Sequence, residues 1–173
     1  MNFKFLFPRF GGSSDPFCVV YLGEDTDEPI CKTKVIDNTL NPQWKETFNI
    51  KLNIVPRRGV TTIQQFPPLR LEVYDYNLVA EMPFLGSCII PPSHYLSIFN
   101  ADYELKEMPN KKNNLVQGSL SVSFALAEGK AAGQDPLSSF IFSDEDDGKS
   151  LPYLVLLDVQ IIKAVDLMVS IFF

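Results

Sequence analysis

Histidine, tryptophan and cysteine are scarce in this 173-residue chain, which holds one His, one Trp and three Cys. The single His94 lies in a Pro91-Pro92-Ser93 turn, and nothing near it in sequence supplies a nucleophile and an orienting acid, so it reads as a surface or capping residue rather than a base. Cys18, Cys31 and Cys88 are odd in number and form no C-x-x-C pair, which argues against a zinc knuckle or a disulfide-built scaffold and suits a reducing compartment. All three fall inside strand-like patterns, where a thiol behaves as a small core residue and not as a phosphatase nucleophile in a loop of amides. Gly11-Gly12-Ser13-Ser14 lacks the Lys and the spacing of a phosphate-binding loop and leads into a strand. No catalytic residue is assigned, and a non-enzymatic protein is expected.

Positive charge is also in deficit. Fifteen basic against 21 acidic residues give a net charge of −6, which disfavours a nucleic-acid binder that works by neutralising phosphates. The imbalance is local: residues 1–126 carry 12 basic and 13 acidic side chains, whereas residues 127–150 carry 2 and 6. Long apolar runs are missing as well. The N-terminal Met1–Pro8 run is interrupted by Lys4 and stopped by Pro8, too short for a signal-peptide core, and Leu151–Phe173 carries Asp158, Lys163 and Asp166 in its middle. We read the protein as soluble and intracellular.

What is present is period-two alternation. Trp44, Phe48, Ile50, Leu52 and Ile54 alternate with Lys45, Thr47, Asn49, Lys51 and Asn53; Leu69, Leu71 and Val73 with Arg70, Glu72 and Tyr74; Leu120, Val122, Phe124 and Leu126 with serines and Ala125. Phe17–Leu22, Cys31–Ile36 and Leu85–Ile90 are further strand candidates, each bounded by turn residues. Pro91–Leu96 is suited to a short helical turn. Residues 127–150 read as a flexible acidic linker, and Leu157, Val159 and Ile161 after it favour another strand. Many short strands with almost no helical periodicity predict an all-β, antiparallel β-sandwich.

Four ordered motifs sharpen this: Gly12-Ser13-Ser14-Asp15-Pro16-Phe17, Lys32-Thr33-Lys34 running to Val35-Ile36-Asp37-Asn38-Thr39-Leu40-Asn41-Pro42-Gln43-Trp44, Val73-Tyr74-Asp75-Tyr76-Asn77, and Phe84-Leu85-Gly86. In this order and at these intervals they resemble a C2 domain over about residues 9–126. They are most similar to the first C2 domain of copines and somewhat similar to that of inositol-polyphosphate 4-phosphatases. The resemblance implies a module that docks on phospholipid membranes, with loop aspartates at one end of the sandwich that hold Ca²⁺. Asp15 matches the second acidic position of the first loop and Asp75 the first of the third. Asn77 and Pro83 stand where further aspartates belong, Arg9 falls about where the first loop's leading Asp would be, and Glu81 is a substitute if the loop bends inward. This degenerate metal set, Asp15, Asp75, Asn77 and Glu81, predicts weak or absent Ca²⁺ binding, since Ca²⁺ takes 6–8 oxygens and each lost carboxylate removes charge. The plain alternative is that Asp15 and Asp75 only close turns.

The resemblance also implies a basic sheet face for anionic headgroups, to which Lys32, Lys34 and Lys45 are assigned, with Lys51 beside them, and Phe10, Phe84 and Met82 are candidate loop-tip side chains that reach lipid, with a core position as the equal alternative for Phe84. An ordinary solvated strand face is the alternative for the lysines. The family's opening strand has no room in Met1–Pro8, yet Leu157-Asp158-Val159-Gln160-Ile161-Ile162-Lys163-Ala164 fits its pattern. We expect residues 151–173 to begin a second C2 domain; the other arrangement has this strand fill the vacant edge of residues 1–126, in a permuted sandwich or, exchanged between chains, a strand-swapped dimer. The expected function is peripheral binding to anionic phospholipid membranes in traffic or signalling, with Ca²⁺ as the only candidate cofactor. A protein-interaction domain without lipid binding, or the targeting domain of a larger inositol-lipid phosphatase, are the alternatives.

Overall fold

The structure is a computed structural model, and it describes residues 13–54, 65–78, 82–97, 100–111, 116–127 and 153–168. Eight strands run as β1 Pro16–Leu22, β2 Pro29–Lys32, β3 Gln43–Ile54, β4 Leu69–Asp75, β5 Phe84–Ile90, β6 Asn100–Glu104, β7 Ser119–Ala127 and β8 Tyr153–Val165, with the one-turn helix α1 at Pro92–Tyr95. They form two four-stranded antiparallel sheets, ordered β2-β1-β4-β5 (sheet A) and β3-β8-β7-β6 (sheet B). The expected β-sandwich is therefore the observed fold.

Alternation decides which side chains meet between the sheets. Cys18 and Val20 of β1, Leu69, Leu71 and Val73 of β4, Leu52 and Ile54 of β3, Leu120, Val122 and Phe124 of β7, and Leu157, Val159 and Ile161 of β8 share one core. Burying a residue of this size contributes roughly 1.5–3 kcal/mol of transfer free energy. Strand β2 is shorter than the expected Cys31–Ile36 stretch, because the ladder turns irregular at Thr33: its amide still donates to the Cys18 carbonyl at 2.9 Å, but the Cys18 amide returns its bond to the Thr33 hydroxyl at 2.9 Å, which donates to the Lys34 carbonyl at 3.1 Å. The short strand β6 is not among the strands expected from the sequence: Ala101 and Tyr103 do alternate with Asn100, Asp102 and Glu104, but two half-buried positions are a weak signal, and its pairing with β7 makes it a strand.

The C-terminal strand is folded into this sandwich. It enters neither as a free segment nor at an edge, but as an inner strand of sheet B between β3 and β7. The missing place was thus central, and apolar side chains alternating along β8 are what such a place needs. The acidic linker lies outside the described residues apart from its first, Ala127, the last residue of β7.

Candidate functional site

The motif that runs from Asp37 to Pro42 carries the chain from sheet A to sheet B, and it gathers one end of the sandwich. Asn38 takes the left-handed conformation, φ 64°, which Asn tolerates better than most residues. Its amide donates to Asp15 Oδ1 at 2.8 Å, and the Thr39 amide donates to the Ser14 carbonyl at 2.8 Å. On the other side, the Leu167 amide donates to the Leu40 carbonyl at 3.1 Å and the Asp166 amide to Asn41 Oδ1 at 3.0 Å. The turn therefore joins the start of β1 to the end of β8.

Asp15 and Asp75 meet at this end, where the resemblance places the first and third loops. Antiparallel pairing places Pro16 opposite Asp75, and the Asp15 amide donates to Asp75 Oδ1 at 2.6 Å. The Tyr76 amide returns a bond to the Asp15 carbonyl at 2.9 Å, and the Asp75 amide donates to the Pro83 carbonyl at 2.9 Å. Asp15 is buried, while Asp75 and Asn77 are half-buried. One carboxylate oxygen of each aspartate is thus held by a main-chain amide, a charge-assisted bond that fixes the loops. Among the described residues the side chains gathered here offer two carboxylates so committed and one amide, fewer oxygens than the 6–8 that Ca²⁺ takes. Among the described residues no group of three or more His, Cys, Asp or Glu is arranged to hold a metal. Arg9, Phe10 and Glu81 lie outside the described residues.

The lysines do not share one face. Lys32 pairs with Val19 and so projects from the outer side of sheet A, away from the core. Strand β3 belongs to the other sheet, and Lys51 alternates with the fully buried Leu52, so it stands on the outer side of sheet B. This corrects the grouping of Lys51 with Lys32 and Lys34. Between them lies the seam of the two edge strands: the Lys34 amide donates to Glu46 Oε1 of β3 at 2.8 Å, and the exposed Lys45, φ 53°, sits in the bulge just before Glu46.

Beside Lys32 the outer side of sheet A is concave and aromatic. Phe17, Val19 and Tyr21 form a second buried cluster, with Val35 and Tyr74 packed on it. A concavity of about 310 Å³ is lined by Phe17, Val19, Tyr21, Tyr74 and Lys32 and continues to Tyr76 and Met82 of the β4–β5 loop. That loop end is apolar and exposed: Tyr76 is 37%, Met82 44% and Leu78 84% exposed. Phe84, in contrast, is 4% exposed and packs edge-on to Tyr74, so it is core and not a loop tip.

Under this face lies a group that alternation had assigned to solvent. Arg70 and Glu72 of β4 are buried, with Arg70 Nε 2.9 Å from Glu72 Oε1. The Arg70 guanidinium lies 4.3 Å from the Tyr21 ring centroid and donates to the Glu24 and Thr26 carbonyls; Tyr74 donates its hydroxyl proton to Glu72, and Lys111 Nζ approaches Glu72 Oε2 at 3.9 Å. Burial, with Glu72 as acceptor, pushes the Tyr74 phenol far above its ordinary range. A signal for this cover existed in Pro16-Phe17-Cys18-Val19-Val20-Tyr21-Leu22, whose unbroken apolar run marks a strand buried on both faces. The thiols are shielded too: burial raises Cys31 to about 11 and Cys88 to about 12, and burial together with neighbouring thiols and Glu72 raises Cys18 well above its ordinary value.

These features agree with what the chain resembles. A family model of the C2 domain matches residues 3–110. Among curated proteins, an uncharacterized protein of the fission yeast Schizosaccharomyces pombe is 36% identical over 81 residues, 47% of this chain and 6% of that protein's length. The alignment thus spans only a small part of that relative. No helix among the described residues is long and apolar enough to cross a membrane. With the family model matching more than half of its residues and the paired-sheet sandwich beneath it, the chain belongs to the C2 domain family, whose members are typically non-catalytic modules that bind membranes or proteins.

Proposed function

We infer that this chain is a peripheral phospholipid-binding module whose attachment depends on charge and apolar contact and little on Ca²⁺. The observation that carries the reading is the placing of exposed Lys32 beside an aromatic concavity that opens toward the apolar tip of Tyr76, Leu78 and Met82. A lysine near an anionic surface and an apolar tip in the headgroup region are complementary contributions to interfacial binding. The opposite end of β1 supports an orientation, because exposed Glu24, Asp25, Asp27 and Glu28 cluster there and anionic lipid repels them. Asp15 and Asp75 act in this reading as loop staples. The likeness to the first C2 domain of copines rests on the motif text and belongs to the same proposal.

Vesicle sedimentation tests it. Vesicles of phosphatidylcholine with phosphatidylserine or phosphatidylinositol 4,5-bisphosphate should pull down the chain equally with Ca²⁺ and with chelator, and K32E/K34E should lose most of that binding. Failure to bind any anionic vesicle would favour the protein-interaction reading.

A further inference from the structure

Among the described residues strand β3 has one hydrogen-bonded neighbour, β8. It ends the order β3-β8-β7-β6, and the pairing runs from Gln43↔Lys163 to Ile54↔Tyr153. On its other edge β8 pairs with β7 from Ser119↔Val165 to Ala127↔Leu156. Its Val155, Leu157, Val159, Ile161 and Ala164 side chains are buried in the core. The slot between β3 and β7 is therefore complementary to β8 in register, hydrogen bonding and apolar fit.

The connection into that slot is far longer than its geometry needs. Ala127 and Leu156 face each other across the ladder, and adjacent antiparallel strands can be joined by a two-residue turn. Here residues 128–152 intervene, 25 in all, rich in Gly, Ala, Ser and acidic side chains. A flexible chain of that length spans roughly 25–30 Å.

We propose that the β3/β7 slot is a strand-acceptor site which takes β8 from its own chain in the monomer and β8 from a second copy in a two-fold exchanged dimer. Every ladder pair and core contact is the same in both forms, so the balance rests on the tether. A covalent link of this length and composition gives an effective concentration in the millimolar range, which makes the monomer the major form at micromolar protein. Shortening the tether removes that advantage and leaves only the exchanged form.

Two arms test this. Deleting residues 128–154 leaves Val155 alone between Ala127 and Leu156, too short to reverse the chain, so light scattering after size exclusion should give a discrete dimer with unchanged β-sheet circular dichroism. A folded monomer overturns the proposal. Should the deletion prevent folding, the full-length chain with L157D/I161D decides: its own strand cannot fill the slot. A labelled peptide of residues 151–168, with Lys-Lys added at each end for solubility, should bind that variant saturably. Binding to the unaltered chain should be at least about tenfold weaker, because the slot is already filled. No saturable binding, or equal binding to both, overturns it.

Discussion

At the scale of single residues, the buried Arg70–Glu72 ion pair on the outer side of sheet A is the feature with the largest expected effect on stability. Removing one member of a buried pair leaves the other charge uncompensated, at a cost of about 3–5 kcal/mol, whereas replacing both with apolar residues is often neutral. R70M should therefore lower the unfolding free energy in urea by about that amount, and R70M/E72L should recover most of it. A loss below about 1 kcal/mol for R70M would show that Lys111 and Tyr74 suffice to hold Glu72. Buried thiols and phenols add a pH dependence. Cys88 is shifted from 9.0 to about 12 and Tyr103 from 10.0 to about 12, in both cases chiefly by burial. The unfolded chain releases these protons near the lower values while the folded chain keeps them, so stability is complete below about pH 9 and falls as pH rises toward 12. Urea midpoints at about pH 7.5 and about pH 10.5 should show the drop; equal midpoints would contradict it.

Elements are fixed to one another at two places, the Asp37–Pro42 turn and the start of β7. Gly118, at φ +100°, lies so close to the end of β8 that an added Cβ would stand 2.5 Å from the Val165 carbonyl oxygen and 2.9 Å from that of Asp166. G118A should cost about 1–3 kcal/mol through backbone strain and the forced displacement of β8. Hydrogen exchange should then quicken in β8 and β3 before sheet A; uniform quickening would argue against a local effect. Leu157, fully buried in β8, offers a cavity test of the same element. L157A should destabilise by about 2–5 kcal/mol in urea unfolding, and a change under about 1 kcal/mol would mean that β8 does not pack as an inner strand.

At the scale of the whole molecule, the two ends of β1 differ among the described residues, with exposed Glu24, Asp25, Asp27 and Glu28 at one and the buried Asp15, half-buried Asp75 and the apolar tip at the other. Binding to anionic vesicles in the proposed orientation should weaken as salt rises from about 0.05 to about 0.2 M, since the Debye length shrinks to below about 10 Å. L78D/M82D should weaken it at both salt concentrations, because the apolar contribution is unscreened. Vesicle sedimentation across this range measures both effects, and indifference to salt would remove Lys32 and Lys34 from the reading.

Much of this was legible in the chain itself. Period-two alternation determined the strands β3, β4 and β7 and their inward faces, because a strand's side chains must point alternately to two sides, while β1 and β5 were marked by short apolar runs between turn residues. The juxtaposition of Asp15 and Asp75 was implied by the resemblance to C2 domains, and the antiparallel register that sets Pro16 opposite Asp75 produces it. Alternation could not say what covers an outward face, so Arg70 and Glu72 read as solvated until the Tyr21 ring, the 24–26 carbonyls and Lys111 were seen over them. Nor could it say which sheet a strand joins, so Lys51 was grouped with lysines on the opposite side, and β8 had two candidate destinations. Those were decided by tertiary structure alone, since pairing partners and burial depend on segments distant along the chain, and β8 meets β3 more than a hundred residues away only once both sheets exist.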